Sequence, residues 1–323
     1  MTTTISAGYA PILIATVVPH VALQLDLYIQ DPSTKEYRLY CDADYPVTEE
    51  DLARLRAKGV SRLYISSSDR DRYQQYLRKI AFADDSQGES IDASVRAGAL
   101  GPIVRDLMSE AFSQRDTNKT TEVAVHLGGQ LAGLVCETNF AVGDLTRVIS
   151  HDYATFTHSA NVAIYCAILA KYLGYSAQEI QEITTGGLLH DLGKLKVDLR
   201  ILNKPGKLDD FEFRAVKQHP TLGFSQLTDR TDLNFGQLMM VYQHHERLDG
   251  RGYPVGLPEQ EIHPWAKICS VVDVFEALTS HRPYRLPMPK SVAITVMRKD
   301  AGTAFDREIL ACWTQITRDC WHD

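Results

Sequence analysis

Residues 190–194 read His190-Asp191-Leu192-Gly193-Lys194 (HDLGK) and follow the apolar run Gly186–Leu189. Adjacent helical residues project about 100° apart. The imidazole and the carboxylate therefore reach one cluster only if it lies beside the edge of a helix. The doublet offers one nitrogen and up to two oxygens to that cluster. A buried Asp191 also needs a cation, which is either Lys194 in a structural His-Asp-Lys network or a metal ion.

Working outward, similar residue types recur in apolar surroundings. His158 opens a helical pattern continued by Val162, Tyr165, Leu169 and Tyr172, and taken alone it reads as a hydrogen-bonded core histidine. His219 precedes Pro220, a position that favours extended backbone and hence a helix boundary. His244-His245-Glu246 closes the apolar run LMMVYQ, and Asp273 sits inside CSVVDVFEAL, where an unpaired carboxylate is costly. His158, His190, Asp191, His219, His244, His245 and Asp273 exceed what one metal takes, since such sites hold four to six ligands including water. The set suits two metals bridged by a carboxylate and a hydroxide, in preference to the His-Asp-Lys network.

The order His158, His190-Asp191, Asp273 resembles the HD superfamily of metal-dependent phosphohydrolases. The further string HDLGK (190–194), ILNKPGKL (201–208), HHERLDGRGYP (244–254) and DVFEALTSHRPYR (273–285) closely resembles the HD-GYP family, bacterial phosphodiesterases that hydrolyse cyclic di-GMP. The likeness runs from about Ser150 to the C-terminus and does not extend as clearly to the first 80 or so residues. It implies that the seven residues above are the metal ligands, with Asp191 bridging. Some members add a glutamate four residues before the first histidine for a third metal. That position here is Ala154, so two metals are expected. Imidazole and carboxylate donors without thiolate are compatible with iron, manganese, zinc or nickel, and the resemblance favours iron or manganese.

The resemblance implies hydrolysis of cyclic di-GMP to linear pGpG, and GMP after a second cut, by a two-metal-activated hydroxide, with Asp191 and Lys194 as the catalytic residues. Lys194 is placed to hold the scissile phosphate or to protonate the leaving oxygen; an ordinary ammonium suits the first role better. Its structural alternative is a salt bridge to Asp191. Gly250, Gly252 and Pro254 are turn residues. Tyr253 among them has a ring that can stack on guanine or bond a phosphate. Arg282 and Arg285 carry planar forks suited to a guanine edge or a phosphate, and Lys204 is a weaker substrate-binding candidate. Two further readings stand beside this one: a catalytically weak sensor or scaffold that engages partner proteins, and a hydrolase of another cyclic dinucleotide.

Composition sets the frame. The 323 residues, 44% hydrophobic and 23% charged, allow two ordinary domains. A net charge of −7 argues against a broad basic surface for duplex nucleic acid but leaves room for a local cationic pocket. The six cysteines are scattered without a CxxC pair, as expected in a reducing compartment. No Lys or Arg precedes Lys35, so the apolar stretch Pro11–Val18 lacks a signal peptide's basic flank, and it is too short to span a bilayer. A cytoplasmic protein without a membrane span is expected.

The fold expected is mainly α, an all-helical HD-type catalytic domain (150–323) preceded by a helical linker region (82–149) and a small α+β module (1–81). In that module, residues 21–30 and 37–42 read as a hairpin around Asp31-Pro32-Ser33-Thr34. Thr48 reads as a helix start, residues 61–66 as a strand and 69–80 as a helix. Phe82–Ser90 is polar and reads as a linker. The module carries no phosphate loop or receiver pattern, so a regulatory or dimerising role is expected, with a homodimer and a diguanylate cyclase or other signalling protein as partners.

Overall fold

The computed structural model describes residues 8–81, 93–137, 155–204, 206–281 and 286–320. Phe82–Ser90, Ala154, Arg282 and Arg285 lie outside the described residues. The chain divides into two compact units, Met1–Ile103 and Val104–Asp323.

The first unit carries an antiparallel sheet in the order β1-β4-β2-β3, with β1 Tyr9–Leu13, β2 Leu27–Gln30, β3 Tyr37–Cys41 and β4 Arg62–Ser66. The hairpin β2–β3 closes around the expected turn, but its first strand is Leu27–Gln30, shorter than the 21–30 read from the sequence. Asp31 Oδ1 accepts the backbone N–H of Ser33 and of Thr34 at 2.8 and 3.0 Å. β1 was not among the strands expected, and Pro11 lies within it. Proline is tolerated on an edge strand, and β1 is an edge. Leu63 and Ile65 are buried while Arg62 is exposed and Tyr64 and Ser66 are half-buried, the period of a sheet with one covered face. Helix α1 (Glu49–Ala57) starts on a capping box between Thr48 and Asp51, and α2 (Arg70–Ala81) buries Tyr73, Tyr76, Leu77 and Ile80. Helix α3 (Ala93–Ser113) runs across the division and buries Val104, Met108 and Ala111.

The second unit is built of helices. Helix α4 (Thr117–Cys136) packs against α5 (Thr155–Tyr172) and α6 (Ala177–Leu189). Beyond these come α7 (Leu199–Leu202), α8 (Asp210–Val216), α9 (His219–Leu227), α10 (Phe235–Gln243), α11 (Pro264–Thr279), α12 (Lys290–Met297) and α13 (Arg307–Cys320). The expected one-sided pattern of α5 gives way to burial all round over residues 157–170, as for a helix central to a core. Tyr172, expected on its core face, is 53% exposed at its end. Among the described residues no helix is long and apolar enough to cross a membrane.

Candidate metal centre

Five helices and their ends deliver the polar residues to one buried place. His158 comes from α5, His190 caps the C-terminus of α6, His219 opens α9, His244 caps α10 with His245 next in sequence, and Asp273 lies mid-way along α11. Gly193 allows the HDLGK turn to sit against α9: a Cβ there would lie 1.9 Å from the His219 carbonyl oxygen and 2.6 Å from the Gly223 nitrogen. Only glycine fits that approach.

The imidazoles are oriented by what their outer nitrogens bond. Nδ1–H of His190 donates to the Gly187 carbonyl at 2.7 Å, that of His219 to Val216 at 2.8 Å, and that of His244 to Met240 and Val241 at 3.0 and 3.1 Å. His158 donates Nδ1–H to the buried carboxylate of Glu276. His190, His219 and His244 thereby keep a lone pair on Nε2, and His158 does so once its Nε2 proton has left. His158 Nε2 lies 3.0 Å from Asp273 Oδ1, and His219 Nε2 lies 3.2 Å from His244 Nε2. The Asp191 carboxylate stands between two groups. Its Oδ2 lies 3.6 and 3.5 Å from Nε2 of His158 and His190, and its Oδ1 lies 3.3 Å from Nε2 of His219.

Three sets of donors close enough to share an ion result: His158, His190 and Asp273; His219, His244 and His245; and His190, Asp191 and His244. Two observations fit cations here. His190 Nε2 and Asp191 Oδ1 are buried without a hydrogen-bond partner among the described residues, an arrangement that is costly unless something else satisfies them. The two facing Nε2 lone pairs of His219 and His244 cannot bond each other.

Charge follows the same logic. Burial holds His190 and His244 below the ordinary imidazole value and takes His219 to about 3 and His245 to about 4, so these rings are neutral donors at pH 7. Burial works to raise the Asp191 carboxyl, but Lys194 and the neighbouring imidazoles outweigh it and hold it well below the carboxylate range. Burial also opposes ionisation of Asp273, and His158 overcomes it. His158 goes the other way: burial would lower it, yet Glu276 and Asp273 raise it to about 9.

The HD domain family model matches residues 145–309, just over half of the chain. The chain belongs to the HD domain family. This family binds divalent metals, and the His/Asp clusters above could hold them. The likeness to the HD-GYP type read from the motifs stands with it. The chain is 35% identical over 195 residues to the cyclic di-GMP phosphodiesterase PA4108 of Pseudomonas aeruginosa, covering 60% of this chain and 47% of that protein. It is 40% identical over 157 residues to the 3'3'-cGAMP-specific phosphodiesterase 3 of Vibrio cholerae, covering 49% of this chain and 34% of that one. A cyclic di-GMP phosphodiesterase of Thermotoga maritima is 34% identical over 184 residues, covering 56% of this chain and 50% of its own length. The chain thus spans half or less of the length of these curated relatives. Bd1817, an HDG"Y"P protein of Bdellovibrio bacteriovorus, shares the fold at a TM-score of 0.66 and 21% identity, with 96% of this chain and 99% of that one covered.

Within this HD domain the remaining sequence candidates divide. Lys194 Nζ sits 2.5 Å from Asp191 Oδ2, so the salt bridge weighed from the sequence is present. The Tyr253 ring stacks on His245 at 4.6 Å between centroids and 28°, and burial pushes its phenol well up. Lys204 Nζ bonds both Glu212 oxygens at 2.7 and 2.6 Å. Two glutamates escaped the sequence reading. Glu276 is 2% exposed and also accepts from Asn161 Nδ2 at 2.9 Å and Ser280 Oγ at 2.7 Å. Its signal was present, since it lies one turn beyond Asp273 in the same apolar helix. Glu246 accepts the backbone N–H groups of Val255, Gly256 and Leu257 at 2.7–3.1 Å and so pins the loop that carries Tyr253.

Proposed function

We propose that this chain hydrolyses cyclic di-GMP to linear pGpG in bacterial second-messenger signalling, with GMP following a second cut. The observation that carries the reading is the pair of donor groups meeting at Asp191. His158, His190, Asp191 and Asp273 would hold one divalent ion, and Asp191, His219, His244 and His245 the other. When bound, such a pair lowers the pKa of water and offsets charge on the phosphate oxygens. Iron or manganese is the proposed occupant, with zinc or nickel compatible with the same donors.

The chain's own residues prepare the reaction. The backbone carbonyls and Glu276 keep the protons on Nδ1 and leave Nε2 open. Buried walls exclude bulk water, which strengthens every charge interaction inside. Lys194 holds an oxygen of the scissile phosphate with its ammonium. Water adds to phosphorus, the phosphorus–oxygen bond to one ribose breaks, and the proton ends on the released ribose hydroxyl. Tyr253, Arg282 and Arg285 contact the guanines and phosphates. Lys204, already paired with Glu212, is the weaker contact. The unit 1–81 serves as a regulatory or dimerising module beside the helical region 82–149, in a cytoplasmic protein whose partners are a second copy and a diguanylate cyclase or other signalling protein.

A second substrate, 3'3'-cGAMP, is supported by the 40% identity to a relative specific for it. Turnover of both cyclic dinucleotides by one metal-loaded preparation separates the two. The reading expects kcat/KM at least tenfold higher for cyclic di-GMP, and the reverse order favours 3'3'-cGAMP.

A further inference from the structure

Lys217 lies two residues before His219, between α8 and α9. Its Nζ sits 4.9 Å from the centroid of the Phe213 ring and 4.9 Å from that of Tyr253. Tyr253 in turn lies against His245. A run of contacts thus leads from Phe213, 49% exposed, through the ammonium and the phenol to an imidazole of the centre.

Four other cations of this unit are paired with carboxylates. Lys194 meets Asp191, Lys204 meets Glu212, Arg247 meets Asp249, and Arg200 meets Asp198. Lys217 has no carboxylate within ion-pair reach among the described residues. Aromatic faces fix the position of an ammonium but leave its charge uncompensated. A cation that is half-buried, held in place and without an anion is ready for one that a ligand brings.

We propose that Lys217 binds the phosphate of the cyclic dinucleotide that is not cut, while Lys194, which touches a residue of the centre itself, attends the scissile one. The inference rests on the cyclic dinucleotide reading and adds a residue to it. Phe213 and Tyr253 act as positioning residues for the ammonium.

The test compares the metal-loaded full chain with Lys217→Gln and Lys217→Arg on cyclic di-GMP and on bis(p-nitrophenyl) phosphate, which has a single phosphate. Lys217→Gln is expected to raise KM for cyclic di-GMP about tenfold, with kcat changed less than twofold and metal content equal to the parent. Lys217→Arg should recover most of that loss, and the ester's KM should move less than twofold. An unchanged KM for cyclic di-GMP, equal rises for both substrates, or lost metal overturns the proposal. A parent chain that cleaves the ester but neither binds nor cleaves cyclic di-GMP overturns the dinucleotide reading itself.

Discussion

His219 Nε2 and His244 Nε2 face each other across 3.2 Å, and each ring spends its Nδ1–H on a backbone carbonyl. Two lone pairs at this separation repel unless a cation lies between or beside them. Ions that bind the folded chain but not the unfolded one stabilise by mass action, about 2.7 kcal/mol at a hundredfold excess over Kd. Chelated protein is therefore expected to melt several degrees below the metal-loaded form, with two ions bound per chain by elemental analysis. Equal melting temperatures would contradict the arrangement.

Glu276 takes the Nδ1 proton of His158 and is itself held by Asn161 and Ser280. Partners of this kind orient a ligand and raise its basicity, and their loss costs roughly 10–100-fold in metal affinity. Glu276→Gln should weaken metal binding within that range, and Glu276→Ala more, since its cavity leaves Asn161 and Ser280 short of an acceptor. Metal titration by calorimetry reads both, and unchanged affinity in each would assign Glu276 a packing role only.

The pH dependence of the metal-free chain has two limbs. Unfolded imidazoles titrate near 6.5, whereas folded His219 and His245 titrate near 3 and 4. The unfolded state therefore binds more protons below pH 6.5, and stability falls as pH drops toward 3. Folded His158 titrates near 9. Its contribution is complete below pH 6.5 and is lost as pH rises through 9. Denaturant melts of chelated protein are expected to show a maximum near pH 6.5. With metal bound at His158 Nε2 the alkaline limb should shrink, because that proton has already left.

Gly193 is a space constraint. Any side chain drives a Cβ into the His219 carbonyl, so Gly193→Ala must push the HDLGK turn away from α9. Loss of several kcal/mol in a urea melt is expected, at the upper end for single substitutions, together with reduced metal content. A variant with parental stability and two bound ions would contradict the packing described.

Much of this was legible in the sequence because rare residue types in apolar context carry strong information. The seven residues from His158 to Asp273 are brought together, and the Asp31 turn and the Thr48 cap form where short-range chemistry places them. What escaped depends on partners distant in sequence. β1, which contains Pro11, takes an edge position that only the sheet order reveals. Glu276 looked like one more helical residue until His158, 118 positions away, supplied its proton. Tyr253, read as a base-stacking ring, rests on His245 and Lys217.

The most direct measurement is product chromatography of cyclic di-GMP incubated with the metal-loaded chain and with Asp191→Asn. The account predicts linear pGpG from the parent, at a rate that follows metal occupancy. It predicts that the variant yields no pGpG over the same incubation, because the carboxylate shared between the two donor groups is gone. Intact cyclic di-GMP in the presence of fully loaded parent protein would contradict it.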